Sequence, residues 1–170
     1  YLGPEMKSTG EVLGIDHDFR PAVAKALMAA GLTLPSTGSV LLSIADRNKN
    51  ESTQTIKDLA SAGYKLYATH GTAAMIRALN IPVITVPKRL DEDHPNVVDI
   101  IEDGTVDAVI NTVTGDRKTL QDGFEIRRAA VEHRIPCFTS LDTACAAIEN
   151  LSNGADFYSV KPLVQYLTAT

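Results

Sequence analysis

The chain has 170 residues, 44% of them hydrophobic, with a net charge of −5. That length holds one ordinary domain plus a short appendage, and the apolar fraction is ample for a packed core. The acidic balance argues against a nucleic-acid partner, and the lack of a long apolar run or a charged-then-apolar leader argues against a membrane partner and against export.

The first stretch differs from the rest. Residues 11–15 read as a short strand, and Asp16 or Asp18 as the cap of a helix over 21–30 that Gly31 stops. Phe19, Val23, Leu27 and Met28 form its expected apolar stripe. Residues 32–38 contain Pro35, Ser36 and Gly38 and read as a linker. A strand and a helix alone make too small a core, so residues 1–37 are expected to be the tail of something larger, or a docking arm.

From residue 39 the chain alternates regularly. A buried-type strand over 40–44 leads to a helix over 51–62, ended by Gly63. A second strand over 65–68 leads to a helix over 73–79, and a third strand spans 83–86. A short helix over 97–101, ended by Gly104, precedes a fourth strand over 108–111. A helix over 123–132, a fifth strand over 136–138 and a helix over 142–149, capped by Asp142, complete the pattern. Such alternation predicts an α/β fold with a single parallel five-stranded sheet, helices on both faces, right-handed crossovers and an N-terminal strand-helix arm. Cys137 and Cys145 fall in apolar or helical contexts without a base or cation nearby in sequence. They read as reduced core thiols of a cytoplasmic protein. No Cys/His cluster has metal-ligand spacing.

Ligands of open parallel sheets bind beyond the carboxyl ends of the strands. Those ends carry Asp46, Arg47, Asn48 and Lys49; then Thr69, Gly71 and Thr72; then Lys88 and Arg89; then Asn111, Thr112 and Thr114; then Thr139 and Ser140. The segment Thr69-His70-Gly71-Thr72 joins an apolar strand to a helix. Its glycine permits close approach, and the unpaired N–H groups and dipole of the helix start favour an anion. The competing reading is an ordinary cap made by Thr69 or Thr72. Two lysines converging on a helix start favour a phosphorylated ligand. Asp91, Glu92, Asp93, His94 and His70 are candidate acids and bases near the rim, and they read as solvated loop and surface or capping histidines. The phosphate-loop pattern Gly-x-x-x-x-Gly-Lys is absent.

The segment Ala68-Thr69-His70-Gly71-Thr72-Ala73, together with Lys88 and Val109-Ile110-Asn111-Thr112, resembles the methylglyoxal-synthase-like domain family. Residues 2–12 are similar to the closing segment of the second ATP-grasp half in the carbamoyl-phosphate synthase large-subunit family. Ile126-Arg127-Arg128-Ala129-Ala130 matches that family's regulatory domain. The resemblance covers essentially the whole chain. It implies that residues 1–37 end the second ATP-grasp synthetase region and supply a linker, and that residues 38–170 form the allosteric domain. It implies a parent ligase making carbamoyl phosphate from glutamine, bicarbonate and ATP for pyrimidine and arginine synthesis. The fragment itself would have no ligase activity, catalytic residue, metal or cofactor; ATP and Mg2+ (Mn2+ and K+ as further ions) would belong to the parent.

The effector implied is a nucleotide, UMP as inhibitor or IMP as activator. Thr69, Gly71 and Thr72 would hold its phosphate, Lys49 and Lys88 would neutralise it, and Asn111 and Thr112 would meet its sugar or base. Thr139 matches a position that helps bind ornithine in responsive members. The implied partners are the catalytic remainder of the large subunit, the glutaminase small subunit and further copies of this domain. Val113 replaces a threonine of nucleotide-regulated members. Acetylglutamate-activated relatives carry a tryptophan where this chain has Lys88, and the chain has no tryptophan. The alternative is a methylglyoxal synthase acting on dihydroxyacetone phosphate, but His94 stands where that family has its catalytic aspartate.

Overall fold

The computed structural model describes residues 10, 12–88, 94–112, 117–151 and 159–167. Most of the arm motif at 2–12, together with Arg89, Asp91, Glu92, Asp93, Val113 and Thr114, lies outside the described residues. Five strands form one parallel sheet: β1 (Ser39–Ser43), β2 (Lys65–Thr69), β3 (Ile84–Val86), β4 (Ala108–Asn111) and β5 (Cys137–Phe138), in the order β3-β2-β1-β4-β5. The helices are α1 (Phe19–Ala29), α2 (Ser52–Ser61), α3 (His70–Ala78), α4 (Val97–Glu102), α5 (Arg117–Glu132), α6 (Leu141–Leu151) and α7 (Leu163–Leu167).

Alternation along each strand splits the core in two. Val40, Leu42, Leu66, Ala68 and Ile110 face a layer that includes Ile56 and Leu59 of α2, Ile76 of α3 and Ile148 of α6. Leu41, Tyr67, Val86 and Val109 face Ile100 and Ile101 of α4 and Ile126 of α5. Burial on both faces is why these strands read as continuous apolar runs. The chain builds β2 and β3 on one side of β1, then crosses to β4 and β5 on the other. The direction of winding thus reverses between β1 and β4, which makes the rim there the place for a ligand cleft.

Several expectations need correction. No strand forms over 12–16 among the described residues, and this segment without regular secondary structure leads into α1. Leu27 and Val23 pack into the first core layer with Leu34, but Phe19 is 82% exposed and Met28 is also exposed. The apolar stripe of α1 is therefore only partly used, where the helix meets α6. Helix α3 begins at His70, directly after β2. Helix α5 begins at Arg117, earlier than the apolar pattern indicates, and α7 follows a stretch in which the sequence pattern shows no helix.

Asn96 caps α4. Its side chain accepts from the Val98 and Asp99 amides, while the Asp99 carboxylate accepts from the Asn96 amide. Asn96→Ala should therefore cost about 1 kcal/mol of unfolding free energy in urea denaturation.

Candidate functional site

The rim is organised by the turn that follows β1. A single 3-10 turn at Asp46–Asn48 brings Lys49 back over the start of α3. A Cβ added at Gly71 would lie 3.2 Å from the Lys49 ammonium, so the missing side chain gives Lys49 its place over the first helical turn. Thr69 holds the N-cap position of α3, and no side chain caps that helix among the described residues. The Thr69 hydroxyl instead lies 3.4 Å from the Thr72 hydroxyl. The positive end of α3 and the Lys49 ammonium thus lie close together. Cations are disfavoured at a helix N-terminus. The carboxylate of Asp46 approaches Lys49 to 2.7 Å, but it is 93% exposed against 25% for Lys49. Its pKa lies below the usual carboxylate range because Lys49 donates a hydrogen bond to it. An exposed pair of this kind is worth little. The geometry suits an anion shared by Lys49 and the first α3 amides.

Other residues expected at the site frame it from within. Thr72 is 1% exposed, and its hydroxyl accepts from the Ile44 amide at 3.0 Å. It ties the end of β1 to α3. Thr112 makes the matching bond on the other side, accepting from the Ala45 amide at 2.9 Å, while its own amide donates to the Ser43 carbonyl. Two threonines from different strand ends thus hold the backbone where β1 becomes the turn. Asn111 pairs with Ser43 in register but sends its side-chain N–H to the Gly123 carbonyl on α5, and is 1% exposed. It lies behind the rim rather than on its open surface. Lys88 is half-buried two residues after Val86, which pairs with Thr69.

Thr139 belongs to a different part of the rim. With Arg47, Asn48, Glu51, Thr112, Ser140 and Asp142 it lines a polar cleft of about 190 Å³. The predicted residues therefore divide. Lys49, Thr69, Gly71 and Thr72 gather on one side of the post-β1 turn, and Thr112 and Thr139 on the other. Glu51 and Asp142 are lining residues that the strand-end reading did not single out, because they sit at helix starts rather than directly after strands.

Among the described residues, neither cysteine is poised as a nucleophile. Burial pushes the Cys137 thiol up to about 11, far from a reactive thiolate. Cys145 lies 3.0 Å from the Thr55 hydroxyl, and both cysteines are free. His94 Nδ1 is 2.6 Å from the Asp99 carboxylate that completes the α4 cap. Among the described residues there is no cluster of metal-ligating side chains, and no helix is long and apolar enough to cross a membrane.

Comparison with known proteins places this geometry in context. The MGS-like domain model matches residues 51–139, over half of the chain. The chain is 48% identical over 167 residues to the carbamoyl phosphate synthase large chain of Thermomicrobium roseum (strain ATCC 27502 / DSM 5159 / P-2). That match covers 98% of this chain and 16% of the relative, so the chain corresponds to a small part of a much longer protein. The crystal structure of methylglyoxal synthase from Elizabethkingia anophelis NUHP1 superposes with a TM-score of 0.53 at 17% identity, covering 81% of this chain and 94% of that one. That likeness is one of fold, and with the family match it gives the assignment: the chain belongs to the MGS-like domain family.

Proposed function

We propose that this chain is the allosteric part of a carbamoyl phosphate synthase large chain and that it binds a nucleoside monophosphate, UMP or IMP, at the sheet rim. The phosphate would sit against the first amides of α3, between Lys49 and Thr69, with Lys88 neutralising it from the end of β3. Thr72, Asn111 and Thr112 would hold the frame, and the sugar and base would extend across the post-β1 turn toward the polar cleft at Thr139. The observation that carries this reading is the Lys49 ammonium held beside the start of a helix that no side chain caps among the described residues, 3.2 Å from where a Cβ at Gly71 would stand. An anion there relieves the repulsion and satisfies both donors at once.

Residues 1–37 would end the second ATP-grasp region, with 38–170 as the regulatory domain. The apolar groove between α1 and α6, rimmed by exposed Phe19, would receive the catalytic remainder of the parent. ATP and its metal ions, glutamine handling by a small subunit, ornithine and the cytoplasmic setting belong to the same reading of the parent. Regulation would work by differential affinity: the nucleotide must bind one conformation of the parent more tightly than the other.

Thermal denaturation with a panel of ligands tests this. UMP or IMP at millimolar concentration should raise the melting temperature, and uridine and inosine should not, because they lack the phosphate. A shift that is equal for nucleoside and nucleotide would remove the phosphate from the explanation.

A further inference from the structure

Lys25 of α1 lies far from the rim, at the meeting of three separate stretches of chain. Its ammonium has three N–H donors and no acceptor. It approaches the Ile15 carbonyl at 2.8 Å, the Asp16 carboxylate at 2.7 Å and the Tyr166 hydroxyl at 2.9 Å. The Tyr166 hydroxyl then donates to the Ser159 carbonyl at 3.0 Å. The group is therefore saturated, and the ion pair is largely sequestered, with side chains 16% and 12% exposed. Around it, segment 12–16 has little else to hold it. It pairs with no strand among the described residues, and Val12 and Leu13 are exposed. It does press closely on α1, since a Cβ added at Gly14 would overlap the Ala22 carbonyl oxygen.

We infer that α7 is a strap: through Tyr166 it closes a junction with Lys25 and residues 15–16 that fixes the N-terminal segment against α1. A sequestered ion pair adds little net stability over an apolar packing, and its best-attested use is to specify register. Here the saturated ammonium selects one seating of the arm and of the C-terminal helix together. The hydrogen bond from Lys25 holds the Asp16 carboxyl below the usual carboxylate range. Nothing in this junction depends on what binds at the rim.

Competitive labelling of lysine amines, read by mass spectrometry on the full 170-residue chain, tests the strap. Lys25 should acylate about tenfold or more slowly than exposed Lys57, since its donors are all engaged. Tyr166→Phe should speed Lys25 severalfold without changing Lys57. Gly14→Ala, which forces the segment off α1 by backbone contact, should do the same by a route that leaves Tyr166 intact. The UMP-induced thermal shift should survive both variants. Equal rates for Lys25 and Lys57 in the unaltered chain, or a Lys25 rate unmoved by Tyr166→Phe, would overturn the inference.

Discussion

Replacing Lys49 by methionine should weaken UMP or IMP binding by about ten- to a hundredfold, while leaving the stability of the ligand-free chain within about 1 kcal/mol of the original. The first figure follows from the loss of one charge-assisted hydrogen bond to phosphate, worth about 1.5–3 kcal/mol, at about 1.4 kcal/mol per tenfold. The second follows from two small opposed effects. Removing the ammonium relieves its repulsion with the start of α3, and it also loses the exposed pair with Asp46. Methionine keeps the apolar length of the side chain, so packing beside Gly71 is preserved. Calorimetry gives the affinity and urea denaturation gives the stability. A variant that binds nucleotide as tightly as the parent chain would exclude Lys49 from the phosphate site.

Thr72→Val should behave in the opposite way, costing about 1–3 kcal/mol of stability even without ligand. The Thr72 hydroxyl is the side-chain acceptor for the Ile44 amide, at the point where β1 leaves the sheet. Valine matches its shape and removes the acceptor, so a buried N–H is left without a partner. Thr72→Ser retains the hydroxyl and should recover much of the loss. Urea midpoints for the three proteins check this. A Thr72→Val chain within about 0.5 kcal/mol of the original would contradict a framing role, since surface changes away from such features fall in that range. The pair of variants separates two kinds of rim residue: Lys49, which would meet ligand, and Thr72, which holds the backbone that meets it.

The contrast between these residues also marks what the sequence could reveal. The five strands were legible because burial on both faces makes them apolar runs, and Gly63 and Gly104 end helices with positive φ angles. The rim residues were legible because strand ends are known once the strands are known. Which way each rim side chain points was not. Asn111 turns to Gly123 on α5, and that depends on the parity of β4 and on where α5 lies. The start of α5 is hidden because residues 117–122 are mostly polar, and Gly123 interrupts a helical pattern that propensity alone would not carry through it. Helix α7 spans too few residues to show a period, and its contact with Lys25 joins positions 141 residues apart. The expected strand in the arm failed for a related reason: an apolar run becomes a strand only where a neighbouring strand can pair with it.

The central claim is that Lys49 and the start of α3 together form a nucleotide phosphate site. Isothermal titration calorimetry of the 170-residue chain with UMP and with IMP, each against its nucleoside, tests it most directly. The account predicts saturable one-site binding of at least one nucleotide, abolished or strongly weakened when the phosphate is removed. No binding of either nucleotide at millimolar concentration by a folded chain would contradict it.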